Sequence, residues 1–381
     1  MLRFLDGGES HGKALVAILE GFPSNFHIDV EEINKELQRR QQGYGRGKRM
    51  SIEKDQVEIW SGLRGDKTTG APITMIIKNK DYENWKDFFN REAKEEEKIK
   101  IIRPGHGDLV GFYKYKTGDI RDAIERTSAR NTAIRTAIGA LCKQLLKSLD
   151  IDIRSMTKSV GAVYENKVNL FNEDIYTIIQ NSDIRCYNKP IEEKIKAAID
   201  KCKLEGDTIG GSVFISIKGV PLGIGSYTQW DRKLDAIISM GIMSVQAVKA
   251  IAFGEGFNSN IQGSEFNDEA YFKNNEIIRG TNHAGGIEAG VSNGENIDIT
   301  AFIKPIPSVK KGIASINLAS KENVISRYER SDVCAVIPAA VVIENVCAFH
   351  ILSEILNKFP SDEYNELKRN FYDYKAYLKK M

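Results

Sequence analysis

Apolar positions along the chain form short alternating runs and longer stripes at helical spacing. Leu2 to Leu5 reads as a strand leading into a turn over Asp6 to Gly12, and Ala14 to Leu19 as a second run of strand length. Asp29, with Glu32 three places on, predicts a capped helix with the apolar face Val30, Ile33 and Leu37, ending in a basic, glycine-rich loop from Arg39 to Arg49. Residues 57–60 and 73–77 predict strands, and the charged stretch Asp81 to Lys100 predicts a solvated surface excursion. Ala133, Ala137, Leu141 and Leu145, with Ile134 and Ile138 beside them, predict a helix from Ser128 to Leu146. A second helix starts near Asp231, with a stripe from Leu234 through Ile238, Ile242 and Val245 to Val248. A shorter amphipathic helix covers Glu192 to Lys203, and a third apolar helix runs from Ala339 to Leu356 after Pro338, before a Lys/Tyr-rich tail. Val213, Ile215 and Ile217 alternate as a half-buried strand, as do Ile297, Ile299, Ala301 and Ile303.

Strands and helices mix without a regular β-α-β beat, which predicts an α+β fold. No Pro/Ser-rich linker divides the 381 residues, so a single domain over 1–381 is expected.

Composition narrows the function. Lys plus Arg number 54 against 52 Asp plus Glu, a net charge of +2, which argues against a dedicated nucleic-acid or membrane-surface protein. No run of 18 apolar residues is present and the N-terminus lacks a secretory pattern, so neither a spanning helix nor a signal is expected and the cytoplasm is the default. The five cysteines, Cys142, Cys186, Cys202, Cys334 and Cys347, are scattered, with no C-x-x-C spacing, so no disulfide framework or zinc cluster is written.

The glycines cluster around histidines. His11 lies in Gly8-Glu9-Ser10-His11-Gly12, His106 in Arg103-Pro104-Gly105-His106-Gly107-Asp108 and His283 in Asn282-His283-Ala284-Gly285-Gly286, whereas His27 and His350 have ordinary structural explanations. Flanking glycines allow tight turns and close ligand approach, and Arg103 and Asp108 can tune a ring that titrates near ~6.5. No two histidines have short ligand spacing, so no metal is expected. The loop from Arg39 to Arg49 sets five cations among Gly43, Gly45 and Gly47, a pattern for binding an anion. Arg126-Thr127-Ser128-Ala129-Arg130, at the predicted start of the first long helix, offers N–H groups, hydroxyls and guanidinium groups to a phosphate, with Arg121 and Arg135 enlarging the field. Arg330-Ser331-Asp332 pairs a cation with a carboxylate before an apolar run.

In chain order, GESHG (8–12), GYGRG (43–47), RPGHGD (103–108), RTSAR (126–130), MSVQAVK (243–249), NHAGG (282–286), KPIPS (304–308) and RSDVC (330–334) resemble the chorismate synthase family over most of the chain. The family's usual glycine run before the R-T/S-S-A-R segment is replaced by Asp122-Ala123-Ile124-Glu125. The resemblance implies helices sandwiched between antiparallel sheets, a homotetramer, and loss of phosphate and a ring proton from 5-enolpyruvylshikimate 3-phosphate, assisted by reduced FMN with no net redox change. It implies His11 as general acid on the leaving phosphate, His106 as the group that protonates or steadies the reduced flavin, and Asp332 as a helper in receiving the proton. Arg126, Thr127, Ser128, Gln246, Ala247, Ala289, Lys304, Pro305, Ile306, Pro307, Ser308 and Arg330 would form the flavin cradle. Arg46, with Arg40 and Arg49, would hold substrate phosphate or the NADPH some members use, an external flavin reductase being the alternative source of electrons. Two small anionic ligands are thus expected where Arg40, Arg46, Arg49, Arg126, Arg130 and Arg330 converge, with no nucleic acid or membrane as partner.

Two rival classes make different demands. A polyanion binder would use the 39–49 loop as an exposed basic patch. A serine hydrolase would use Ser10 of the G-x-S-x-G pattern, which needs strand, turn and helix around it, yet only seven residues precede Gly8 and a strand follows.

Overall fold

The computed structural model describes residues 1–46, 54–273 and 276–380. Two antiparallel sheets enclose a helical layer. In the first, the strands run in the order Arg3–Gly7, Ala14–Glu20, Ile73–Lys78 and Glu58–Ile59. Register explains which face is inward: Leu15, Ala17 and Leu19 lie opposite Ile77, Met75 and Ile73, and all six are buried. The second sheet runs Val248–Phe253, Ile297–Ile303, Gly211–Lys218, Asp152–Val160 and Val163–Tyr164. Here Ile297, Ile299 and Ala301 pair with Ile217, Ile215 and Val213, the positions whose alternation marked both strands.

The helices Thr132–Lys147 and Val336–Lys358 pack on each other between the sheets, the former touching Ala14–Glu20 and Ile73–Lys78, the latter Asp152–Val160 and Gly211–Lys218. Their close approach is set by Gly139, where a Cβ would come within 2.1 Å of the Asn345 carbonyl oxygen. Val336–Lys358 is long and apolar enough to cross a membrane by length and composition, and 83% of its most apolar window is buried in the fold. It is apolar on all sides because protein covers all sides. Pro338 falls in its first turn, where a missing N–H costs no helical hydrogen bond. A continuous core joins both sheets to these helices.

The α+β expectation and the central helical layer hold, but local details differ. The predicted 128–146 helix is broken: Ile120–Thr127 ends at Ser128, a 3-10 turn covers Ala129–Asn131, and the α-helix begins at Thr132. The helix from Asp231 stops at Met243, and Val248, which continued its stripe, opens a strand after a turn in which Ala247 has φ 71°. Strand pairing with Ile297–Ile303 overrides the helical spacing there. The C-terminal tail is a helix, Tyr364–Leu378, anchored by buried Leu367 and Phe371. The charged 81–100 stretch is no simple excursion, since it buries Asp81 and brings Trp85 against His11.

Candidate active site

A cleft of about 660 Å³ opens between the hairpin loop that carries His11, the turn that carries His106 and the loops before and after the second sheet. That volume suits small-molecule or cofactor sites, roughly 300–1,000 Å³. His11 follows the first strand, and Glu125 of the helix Ile120–Thr127 fixes it. The His11 backbone N–H donates to Glu125 Oε2 at 2.8 Å, and its Nδ1 lies 2.9 Å from Oε1. The ring stacks on Trp85 with centroids 4.2 Å apart, and Nε2 is 3.9 Å from Asp81 Oδ2. An ionised carboxylate offers only acceptors, so Nδ1 carries the proton, leaving Nε2 on the opposite edge of the ring for chemistry.

His106 also sits on a carboxylate, with an Arg103 terminal nitrogen 3.0 Å from the same Nδ1. Its Nδ1 is 2.6 Å from Oδ1 of Asp108, the fully buried first residue of the helix Asp108–Tyr115. Burial works against the Asp108 charge, but hydrogen bonds from His106 and Arg103 outweigh it and hold the carboxyl well below the usual range. Arg103 donates to Asp108 through its backbone N–H, Nε and a terminal nitrogen. Two histidines, each with Nδ1 on a buried carboxylate, therefore line one cleft.

The described lining is strongly cationic: Arg40, Arg46, Arg103, Arg130, Lys304 and Arg330 against Asp81, Glu329 and Asp332. Burial, with Arg130 and Arg46 nearby, pulls Arg40 down to about 9. Asp55 partly compensates, lying 3.5 Å from Arg40 and 2.7 Å from Arg130. Arg46 donates to Asp332 at 2.6 Å, while its Nε is buried with no hydrogen-bond partner among the described residues. On the other wall, Thr127, Ser128, Gln246, Ala247, Lys304, Ile306, Pro307, Ser308 and Arg330 reach the cleft. The Lys304 backbone N–H donates to the Ala247 carbonyl, tying two of these segments together, and burial, with Lys249 nearby, lowers the Lys304 ammonium.

Other expected residues lie elsewhere. Arg126 is half exposed and pairs with Asp6 at 2.7 Å. Ala289 is at an exposed turn with φ 51°, and Pro305 is not part of the lining. Arg49 lies outside the described residues. His283 is tied to the Phe266 carbonyl through Nδ1, away from the cleft. Arg135 donates to Ser244 instead of facing a ligand.

The comparisons with known proteins converge on one family. The family model described as "Chorismate synthase" matches residues 2–356. The chain belongs to the chorismate synthase family. It is an enzyme of that family, a chorismate-forming lyase. A "Chorismate synthase" from Clostridium tetani is 59% identical over 99% of this chain and 97% of its own length, and one from Alkaliphilus oremlandii is 49% identical over both full lengths. A solved structure described as "Crystal Structure of Chorismate Synthase" superposes with a TM-score of 0.81 at 34% identity, covering 100% of this chain and 99% of the other.

Family membership and geometry together remove both rivals. Ser10 is on a hairpin loop between strands, and its hydroxyl donates to Ser128 Oγ at 3.1 Å, while His11 turns its Nδ1 to Glu125. The loop predicted from Arg39 begins later, since Arg39 and Arg40 close the helix Val30–Gln41; Arg39 points into the core to pair with Glu344 and Arg40 is buried, so neither offers an exposed basic patch. Gly43 and Gly45 serve the fold, because a Cβ would meet Ile337 at 2.7 Å and Ile199 at 2.9 Å respectively. Sequence reasoning missed Asp81, Trp85, Glu125 and Glu329 as site residues. The signals available were a tryptophan inside a charged run and a carboxylate where the family usually has glycine.

Proposed function

We propose that this cleft holds reduced FMN and 5-enolpyruvylshikimate 3-phosphate side by side, with His11 and His106 as the groups that handle protons. The reaction yields chorismate and phosphate, the last common step of the shikimate pathway toward aromatic amino acids. One ring C–H bond and the C–O bond to phosphate break. The C–H pair enters the new double-bond system and the C–O pair leaves with phosphate, so nothing is oxidised or reduced overall.

The lining residues fit a flavin mononucleotide. Gln246 lines the cleft with a buried Oε1 that has no hydrogen-bond partner among the described residues, an acceptor suited to a ring N–H. Lys304 and Arg330 offer charge to its phosphate, and Thr127, Ser128, Ala247, Ile306, Pro307 and Ser308 complete the wall. When bound, reduced FMN supplies an electron-rich ring beside the substrate and ends each turnover in its starting oxidation state. His11, as imidazolium, donates from Nε2 to the departing phosphate oxygen. With the flavin bound, His106 would steady its protonation, and Asp332 would help receive the ring proton. Arg40 and Arg46 hold substrate phosphate or the NADPH phosphate. General acid–base groups of this kind contribute ~10² to 10⁴ in rate each.

The carrying observation is the matched pair of carboxylate-held histidines on one cation-rich cleft. We assign the chain a single domain and a homotetrameric, cytoplasmic state, with electrons from NADPH or from an external flavin reductase. Anaerobic incubation with substrate and reduced FMN, compared with NADPH plus oxidised FMN, tests the reading. Phosphate and chorismate should form with reduced FMN, and His11→Ala and His106→Ala should lose most of that rate. Full activity in both variants would show the histidine roles to be wrong.

A further inference from the structure

The two histidines do not end at their carboxylates. Glu125, whose side chain is 1% exposed, lies 3.5 Å from Arg121; Arg121 binds Glu329 at 2.9 Å; Glu329 also pairs with Arg327; and Arg327 reaches Asp108 at 3.3 Å. With His11 on Glu125 at 2.9 Å and His106 on Asp108 at 2.6 Å, alternating charges run from one imidazole to the other, the Glu125–Arg121 step being an ion pair without a hydrogen bond. Three carboxylates and two guanidinium groups lie between the rings, so the ladder is one negative charge in excess, and Arg103 on Asp108 brings it to balance.

We propose that this ladder sets both imidazoles as one system, with Glu125 as the positioning residue of His11 and Glu329 as the rung that couples His11 to His106. The proposal rests on the acid–base reading of the two histidines. Glu125 makes three contacts with His11, one to the backbone N–H and two to Nδ1, so it fixes ring orientation as well as tautomer. It also explains a departure in the sequence, since the segment that lacks the family's glycine run supplies this carboxylate. Glu329 is bound by both arginines; burial opposes its charge, and Arg121 and Arg327 overcome that to keep the carboxyl below its ordinary range. Removing the Glu329 charge leaves Arg121 and Arg327 without their shared counter-charge, so their positive charge acts more fully on Glu125 and Asp108. Each carboxylate then favours its imidazolium less. The other charged groups facing these rings are Asp81 at His11 and Arg103 at His106. Arg121 also lies over Trp85, the ring stacked on His11.

The test is histidine titration by NMR on the full chain, without substrate or flavin, in the parent, Glu125→Gln, Glu125→Asp and Glu329→Gln, with ¹⁵N shifts reporting the tautomer. Glu125→Gln should lower the His11 midpoint and weaken its Nδ1–H tautomer. Glu125→Asp should restore part of both. Glu329→Gln should lower both midpoints by about half a pH unit or more, although it touches neither ring. In turnover, Glu125→Gln should cut kcat about tenfold or more with little change in KM, and its alkaline limb should move to lower pH. An unchanged His11 tautomer in Glu125→Gln overturns the positioning role, and a Glu329→Gln protein in which neither midpoint moves, or only one does, overturns the coupling. These titrations are independent of activity, so a failure of the ladder is distinct from a failure of the acid–base roles, which the His11→Ala and His106→Ala rates report.

Discussion

Arg46 and Asp332, 286 positions apart in the chain, meet at 2.6 Å on the wall of the cleft. Each limits what the other can do: the carboxylate occupies a guanidinium that a phosphate would take, and the guanidinium fixes where the carboxylate sits on the wall. Arg46→Ala should therefore raise the KM for 5-enolpyruvylshikimate 3-phosphate about tenfold or more, the scale of a hydrogen bond to a charged group. Asp332→Asn should lower kcat without raising KM, because it frees Arg46 for the substrate. Steady-state kinetics check both, and an unchanged KM in Arg46→Ala would remove Arg46 from the substrate site.

Trp85 stacks on His11 at an interplanar angle of 23° and carries Arg121 5.1 Å from its ring centre. A flat aromatic surface is what the imidazole uses to stay in plane with Glu125. Trp85→Phe should keep most of the rate, whereas Trp85→Ala should lower kcat by about tenfold or more, inside the range an acid contributes. Equal rates in the two variants would show that the stack is only packing.

Deep between the sheets, Glu344 is fully buried, pairs with Arg39 and Lys143, and accepts from Ser155 Oγ at 2.6 Å. Burial opposes its charge, but Arg39 and Lys143 hold the carboxyl well below the usual range. Glu344→Gln leaves Arg39 and Lys143 sharing the single carboxylate of Glu36 and should cost about 3 kcal/mol, measured by urea unfolding. A loss under about 1 kcal/mol would mean that the cations find other partners.

His350 lies against Gly241 in the core, where burial, with Arg135 nearby, pulls its ring down from 6.5 to about 4. Between those two values the unfolded chain takes up a proton that the native chain refuses. The stability is thus fully present above about 6.5 and falls as pH drops toward about 4, by about 3 kcal/mol in all. Between pH 7 and pH 5 the parent should lose about 2 kcal/mol more than His350→Gln in urea titrations. Identical pH slopes would show that His350 is protonated in the fold.

The alternating strands were legible because one face of each carries the apolar side chains of the core: Val213, Ile215 and Ile217 read as one strand and Ile297–Ile303 as another, but their pairing, and the burial of Ser212, Phe214 and Ser216 on the other face, came only with the fold. The break at Ser128 was not, since Ala129 to Thr132 carry no helix-breaking residue and the 3-10 turn depends on contacts made by Arg130 with Asp55 and Asn79. Val248 was misread because apolar residues at helical spacing are equally at home in a strand when a neighbour supplies the hydrogen bonds.

By itself the sequence determined the α+β class, the buried faces, the two glycine-flanked histidines and the family, because period and motif are local properties written in residue order. The tertiary structure decided which charges meet. It sent Arg39 into the core and Arg126 to Asp6, and it put Glu125 on His11 and Asp332 on Arg46. Coulomb energy depends on distance in space and on burial, and neither can be read from the order of residues along a chain.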